Sequence, residues 1–358
     1  MRRVCFFGAY DRAYPRNRVL REGLRRAGVD VLEACVRDRR AFRRYPALIG
    51  AFAPLSRVSD AVLVPEFRHK DMPLARFVAG RRPLIFDPLV SRHDTLIDDW
   101  KLHAPGSAQA RWNRVIDRAA FALADRVLCD TWAHGALFET LGAERRKLRR
   151  VLVGAEDAFF AAPPPPPAPP VRLVYVGGFL PLHGVPTLIA AAGELERRAS
   201  RVPEFRIQLV GRGIEFDEAR ALAEQLALER VDFTGVTSYA DAPRVLADAH
   251  VALGAFGSGE KAGRVIPHKV FQGFASGRAV VTGDGEGLRE VFTPGEHVIA
   301  VSRGDALDLA DALERVIRDE GLRERMASAG RARALEIASP ERIGESLRSV
   351  IEECGAPD

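Results

Sequence analysis

No Cys-x-x-Cys pair occurs in these 358 residues, and the four cysteines, at 5, 35, 129 and 354, are scattered. That excludes a thiolate metal clamp or a dithiol redox couple. Cys5, Cys35 and Cys129 fall in apolar runs and read as small buried hydrophobes, as suits a reducing cytoplasm. No apolar run reaches the roughly 18 residues that a membrane-spanning helix needs. The opening Met-Arg-Arg-Val-Cys-Phe-Phe-Gly has too short an apolar stretch for a signal peptide and reads as a first strand. No Gly-x-Gly-x-x-Gly follows it; Phe7-Gly-Ala-Tyr-Asp-Arg stands there instead, which excludes a nicotinamide-dependent dehydrogenase. Lysine is scarce as well, five of the 53 basic residues.

The rest of the composition is that of an ordinary globular protein, 47% apolar and 28% charged. The length suits two domains. The net charge of +5 hides a split. Residues 1–170 hold 30 Lys+Arg against 19 Asp+Glu, a surplus of +11; residues 171–358 hold 23 against 29, a balance of −6. A nucleic-acid binder would carry its basic stripe across both halves, so no nucleic-acid partner is expected.

The run Ala161-Ala-Pro-Pro-Pro-Pro-Pro-Ala-Pro-Pro170 blocks helix and ladder hydrogen bonds. As polyproline II it would be a spacer of roughly 25–30 Å, and it marks a domain boundary. Before it, Val4–Gly8, Val29–Val36, Ala61–Val64, Leu84–Asp87, Arg126–Asp130 and Val151–Gly154 read as strands, and Arg16–Ala27 as a helix stopped by Gly28. After it, strands are expected at Arg172–Val176, Arg206–Val210, Val231–Thr234, Val251–Leu253, Ala279–Thr282 and Val298–Val301. Helices are expected at Val185–Arg198, Asp217–Leu228, Pro243–Ala249 and Asp305–Asp319. Alternating β and α with near-continuous apolar strands implies α/β architecture, two doubly wound parallel-sheet Rossmann-like domains. The expected division is 1–160, a linker 161–170, 171–335, and a C-terminal helix within 336–358 crossing back to the first domain. Ligands of such folds bind beyond the carboxyl ends of the strands, so the site is expected in the cleft between the domains.

Four glycine-rich turns stand at strand ends of the second half: Gly177-Gly178, Gly211-Arg212-Gly213, Gly254 to Gly263, and Gly283-Asp-Gly-Glu-Gly287. Glycine lets backbone approach a ligand closely, and four such turns suggest a rim around one polar ligand. The stretch Glu260-Lys-Ala-Gly-Arg-Val-Ile-Pro-His-Lys-Val-Phe-Gln-Gly-Phe-Ala-Ser-Gly277 carries more. Pro267 suits helix position N1, which puts Arg264 and Lys269 near a helix N-terminus. That end prefers anions, so cations there make sense if a phosphate completes the site. The bland alternative is a solvated basic face. Gln272 stands one turn on, where an amide could meet a ribose hydroxyl pair.

These residues carry a resemblance. The order Val-Gly-Gly…His183-Gly184-Val-Pro-Thr-Leu-Ile, Leu-Val-Gly-Arg-Gly, Val231-Asp-Phe-Thr-Gly-Val, Pro267-His-Lys-Val-Phe-Gln-Gly-Phe-Ala-Ser-Gly and Gly287-Leu-Arg-Glu-Val resembles the nucleotide-sugar-binding half of retaining GT-B glycosyltransferases of family 4 (group 1). Gly8-Ala-Tyr-Asp-Arg-Ala-Tyr-Pro-Arg-Asn-Arg18 and Phe86-Asp-Pro-Leu-Val-Ser-Arg-His-Asp94 resemble the acceptor half more loosely. The resemblance implies transfer of a sugar from a nucleotide-diphosphate sugar to a glycan, lipid-linked or small-molecule acceptor. No cofactor and no metal is expected, Asp284-Gly-Glu286 being a glycine turn rather than an acidic metal motif. The implied donor residues are Gly177, Gly178, His183, Gly184, Gly211, Arg212, Gly213, Glu260, Lys261, Arg264, His268, Lys269, Gln272 and Glu290. Two depart from the family pattern: Gln272 stands where a carboxylate holds the ribose, and Arg264 where a first Glu is usual. Gly178 and His183 occupy the places of the usual Arg and Lys, and Arg264, Lys269 and Lys261 could supply the missing charge.

Acceptor-side candidates are Asp11, Arg16 and Asn17, with Asp87, His93 and Asp94 as the catalytic set. For His93 a solvated loop histidine is the plainer alternative, and for Asp94 a helix N-cap before Thr95–Trp100. Two basic runs, Arg37–Arg44 and Arg145–Arg150, suggest peripheral contact with an anionic membrane at its inner face, against the alternative of an Arg-rich solvated surface. The protein is otherwise expected in the cytoplasm. A nucleotide-sugar epimerase of the same fold, or a degenerate non-catalytic nucleotide-sugar-binding protein, are the rival readings.

Overall fold

The computed structural model describes residues 3–38 and 40–354. Arg39 of the first basic run lies outside that range, as do residues 355–358. The chain divides into two compact units, unit 1 from residues 1–153 and 340–358, and unit 2 from residues 154–339.

Unit 1 holds a six-stranded sheet of β1 (Arg3–Gly8), β2 (Asp30–Cys35), β3 (Ala61–Val64), β4 (Leu84–Phe86), β5 (Arg126–Cys129) and β6 (Leu148–Arg150), in the order β2-β1-β3-β4-β5-β6. Every pairing is parallel. All residues of β3 and β4 are buried, as a sheet covered by helices on both faces requires. The sixth strand differs from expectation. Val151–Gly154 is not a strand; β6 lies three residues earlier, inside the basic run. The Val151 and Leu152 carbonyls instead accept from Arg16 Nη1, at 3.0 and 2.5 Å.

Unit 2 holds β7 (Val171–Val176), β8 (Phe205–Val210), β9 (Val231–Gly235), β10 (Val251–Leu253), β11 (Ala279–Gly283) and β12 (Ile299–Val301), in the order β12-β11-β10-β7-β8-β9, again all parallel. Helices Val185–Arg197, Phe216–Gln225 and Ala306–Arg318 bury their apolar sides on this sheet around Leu173, Tyr175, Ile207 and Leu209. β10 and β11 are buried throughout, whereas β9 alternates, with Asp232 and Thr234 exposed.

The proline run differs from the expected spacer. It belongs to unit 2 and is strapped to it through its carbonyls. Arg278 Nη2 donates to Pro163 O at 2.5 Å, and His250 Nε2 lies 2.9 Å from Pro166 O. His250 Nδ1 accepts the Arg172 N–H at 3.0 Å, so Nε2 carries the proton. Proline offers no N–H to a neighbour, so its carbonyls take side-chain donors instead.

The helix Pro340–Glu353 belongs to unit 1, where it packs on Pro15–Arg26 through two glycines. A Cβ on Gly23 would stand 2.4 Å from Pro340 O, and one on Gly344 would stand 2.0 Å from Gly23 O. Backbone meets backbone, so neither position has room for a side chain. Among the described residues no helix is long and apolar enough to cross a membrane. Gly344→Ala is expected to force the helices apart and to cost about 3 kcal/mol, the upper end for overpacking. Denaturant unfolding measures it; unchanged stability would contradict the glycine contact.

Candidate active site

The carboxyl end of β7 opens the polar site of unit 2. Gly177 follows the strand with φ +152°, and a Cβ there would lie 2.8 Å from Lys269 Nζ. Glycine therefore lets Lys269 reach the strand end. Lys269 comes from the first turn of the helix His268–Ala275. Pro267 stands just outside it, as N-cap rather than N1. The Lys269 ammonium sits 3.7 Å over the Tyr175 ring, is 6% exposed and has no hydrogen-bond partner. Burial pushes its pKa well below the usual lysine range.

The groups around this cation are neutral. Tyr175 Oη donates to Gly178 O and lies 3.2 Å from His183 Nδ1, which is itself 2.5 Å from Gly178 O. Burial, then the Lys269 and Lys261 charges, hold His183 well below the ordinary imidazole pKa. Burial, then the Glu215 charge, raises the Tyr175 phenol. A buried cation with neutral polar neighbours is destabilised until an anion supplies the missing charge. Lys261 and Gln272 are buried in the same unit, Gln272 one turn along the helix from Lys269. Arg264, His268 and Glu290 are half-buried, and Glu260 is exposed. Arg212 is exposed and leans over Phe216 at 4.6 Å.

The glycine turns expected as a ligand rim also close on one another. A Cβ on Gly184 would stand 2.4 Å from Gly257 N, one on Gly211 1.9 Å from Gly177 O, one on Gly213 2.5 Å from Phe179 O, and one on Gly285 2.4 Å from Gly263 O. The turns are glycine-rich because they pack on each other, backbone to backbone.

In unit 1, two expected site residues are spent on each other. Arg16 is 1% exposed and Asp87 0%. They form a bidentate pair, Nε to Oδ2 at 2.9 Å and Nη2 to Oδ1 at 3.1 Å. With Nη1 on the Val151 and Leu152 carbonyls, Arg16 is a strut between strand ends. That corrects both the acceptor role expected of Arg16 and the catalytic role expected of Asp87. Asn17 is buried and donates Nδ2 to Asp11 O at 2.7 Å. Asp11 itself is exposed, its Oδ1 accepting from Ala13 N at 2.9 Å.

His93 is buried, with Nδ1 3.2 Å from Asp98 Oδ2, which removes the solvated-loop reading. Asp94 caps no helix end; it is the first residue of a π-helix, Asp94–Asp99, and its N–H donates to Ser91 Oγ at 3.1 Å. The 91–93 loop is held by a residue missed in the sequence. Asp117, 0% exposed, accepts from Ser91 Oγ at 2.7 Å, Arg92 N at 3.0 Å and His93 N at 2.9 Å, with His69 Nε2 at 3.3 Å. Nothing local in a helical Asp signals that role. Glu66 was missed too. It is buried just past β3, and burial, then the Asp87 charge, lifts its pKa to about 8, against opposing contributions from Asn17 and Arg68. Its place two residues beyond a strand end was the available signal.

The fold of two six-stranded parallel sheets is the GT-B class. Along 99% of this chain it matches Anabaena HepE, crystallised with UDP and glucose, at a TM-score of 0.71 and 16% identity, covering 100% of that structure. A sucrose-phosphate synthase from Thermosynechococcus elongatus matches at 0.73, with 16% identity and 99% of each chain covered. Residues 158–333 match the family described as Glycosyl transferases group 1. Two curated relatives agree. The lipopolysaccharide core biosynthesis glycosyltransferase LpsE of Rhizobium meliloti is 30% identical over 177 residues, 49% of this chain and 48% of LpsE. A phosphatidyl-myo-inositol mannosyltransferase of Mycobacterium tuberculosis is 32% identical over 156 residues, 42% of this chain and 39% of the relative. The chain thus spans half or less of the length of these relatives.

Two outcomes are expected. Arg16→Met leaves Asp87 buried and unpaired and should cost about 3–5 kcal/mol, while the double variant Arg16→Met/Asp87→Leu should cost less; chemical unfolding of both distinguishes a strut from a ligand pair. For Glu66, the folded pKa of about 8 lies above the ordinary carboxyl value of 4.5. The folded chain therefore keeps a proton that the unfolded chain loses. The stability from this group is full below about pH 4.5 and is lost as pH rises through about 8. Glu66→Gln should flatten the fall of melting temperature between those limits; an unchanged slope would contradict the shifted carboxyl.

Proposed function

We propose that this chain is a retaining, metal-independent family 4 glycosyltransferase that moves a sugar from a nucleotide-diphosphate sugar to an acceptor hydroxyl. The bond from the anomeric carbon to the diphosphate breaks, the bond to the acceptor oxygen forms on the same face, and the diphosphate leaves with the acceptor hydroxyl's proton. Unit 2 holds the donor. The observation that carries this reading is Lys269, a buried cation without a hydrogen-bond partner beyond the end of a central parallel strand. A diphosphate oxygen supplies the charge it lacks, and stabilising that leaving group is the main electrostatic task of the reaction. Gln272 meets the ribose, and Lys261 and Arg264 add positive charge. HepE was crystallised with UDP, which makes uridine compounds the first probe.

The acceptor is assigned to unit 1, near His93, Asp94 and Asp11. Relatives named for lipopolysaccharide core and phosphatidyl-inositol chemistry favour a glycan or lipid-linked acceptor. With such an acceptor the protein works in the cytoplasm, resting on the inner face of a membrane.

The test is a melting-temperature panel of UDP, GDP, ADP, TDP and CMP compounds on the wild type and on Lys269→Met. A ligand at 100 times its Kd adds about 2.7 kcal/mol, roughly 5–10 °C for a domain of this size. Lys269→Met removes an unpaired buried charge. It should raise the melting temperature of the free protein and weaken the nucleotide about 10–100-fold, the worth of a charge-assisted hydrogen bond. A free protein that melts lower, or a nucleotide shift that survives the substitution, would sink the assignment. Product analysis for transfer against epimerisation separates the two enzyme readings.

A further inference from the structure

The helices of unit 1 form two layers of opposite surface character. Pro15–Arg26 and Pro340–Glu353 pair their arginines with carboxylates. Arg26 meets Glu22 at 2.8 Å and also Glu341, Arg342 meets Glu345 at 2.8 Å, and Arg348 stands 3.6 Å from Glu352. The helices Ala41–Phe52, Met72–Ala79 and Ala108–Leu123 are neighbours in that order. They turn Leu48, Phe52, Met72, Ala75, Ala79 and Phe121 into one apolar core with β1, β3, β4 and β5.

The outward side of these three helices carries no carboxylate. Their one acidic residue is Asp117, which is buried. Instead the layer exposes large apolar side chains: Phe42 at 69%, Ile49 at 46%, Phe77 at 80%, Trp112 at 57% and Val115 at 54%. Between them stand Arg43, Arg111, Arg114 and Arg118, all exposed and without an ion pair among the described residues. Arg43 leans over Phe42 at 5.5 Å, and Arg111 donates to Gly106 O at 3.1 Å. A single exposed hydrophobe is ordinary. Five on one helical layer, with only cations among them, mark a docking face.

We propose that this layer is the face by which the protein lies on an anionic lipid surface. Aromatic rings settle at the headgroup level, and arginines among them meet lipid phosphates while their stems cover apolar surface. A bilayer needs no matching groove, and the cations are dispersed over two of the helices rather than gathered around one. The basic run Arg145–Arg150 is not part of this face. Arg145 meets Glu139 at 3.4 Å, Arg146 meets Glu144 at 2.7 Å, Lys147 meets Glu144 at 3.1 Å and Arg149 meets Glu353 at 2.6 Å. The proposal rests on the membrane part of the proposed function and not on the donor site.

The test is co-sedimentation of the full chain with vesicles of phosphatidylcholine alone and of phosphatidylcholine mixed with phosphatidylglycerol, at low and at physiological salt. The wild type is expected to bind the mixed vesicles, more weakly as salt rises. Arg111→Glu/Arg114→Glu/Arg118→Glu should lose at least about 100-fold in partitioning, since each neutralised arginine is worth about fivefold (~1 kcal/mol). Trp112→Ser/Phe77→Ser keeps every charge and should still bind more weakly. Arg145→Glu/Arg146→Glu should stay within about twofold of wild type. Nucleotide-induced melting shifts are measured on the same variants and should be unchanged, so failure of the lipid face and failure of the donor reading are separately visible. No binding by the wild type, equal loss in the Arg145/Arg146 control, or full binding by the triple variant would each overturn the proposal.

Discussion

Buried guanidinium groups close the places where regular structure leaves carbonyls without donors. Helix ends and the ends of parallel strands present such carbonyls, and an unpaired buried one costs as much as a lost hydrogen bond. Arg16 takes the Val151 and Leu152 carbonyls. Arg278 takes Leu246, Ala247 and Pro163, Arg323 takes Val316 and Ile317, and Arg331 takes Ala275 and Phe160. Arg16, Arg278 and the half-buried Arg331 join segments distant in sequence, Arg323 closes the end of the helix just before it, and Arg278 and Arg331 bind down the chain around the proline run. A guanidinium offers five donors in a fixed plane, where an ammonium offers a point charge. That chemistry gives the 48 arginines and five lysines a structural meaning beyond a basic surface.

Lysine is kept for a different situation. Lys269 stands at a strand end with no hydrogen-bond acceptor taking its protons among the described residues. The same sheet architecture that covers its strands at both faces leaves their carboxyl ends to the turns between elements. The turns around Gly184, Gly211, Gly213 and Gly285 close on one another without side chains. The polar work then falls to the groups that remain between them, Tyr175, His183 and Lys269.

Charge in unit 1 is organised in the same economical way. Arg16 and Asp87 neutralise each other in the interior, and Arg44 pairs with Asp71 at 2.8 Å. The helices Pro15–Arg26 and Pro340–Glu353 pair Arg26, Arg342 and Arg348 with their own glutamates, and Arg21 meets Glu33. The exposed Arg43, Arg111, Arg114 and Arg118 are the cations that meet no carboxylate on the three helices of the opposite layer.

Much of the architecture was legible from the chain alone. Eleven of the twelve parallel strands follow from expected runs three to eight residues long, because a strand buried on both faces has little room for polar side chains. Ten or more of those runs needed only small changes at their ends. The displaced sixth strand was not legible, because Leu148–Arg150 is a polar edge strand and Val151–Gly154 is an apolar segment held by Arg16. The motif from Glu260 to Gly277 pointed to the anion site through residue type and helix position. It could not separate Lys269 from Arg264, since both are basic and near the same helix start, and only burial distinguishes them. Asp117 was invisible, because its partners come from elements far away in sequence, and Glu66 left only its place just past a strand end as a signal. By itself the sequence determined the two α/β halves, the order of the glycine turns and the charge split, all of which depend on local periodicity and composition. Tertiary structure decided which charges are spent and which remain, because pairing depends on which side chains long-range packing brings within a few ångströms of each other.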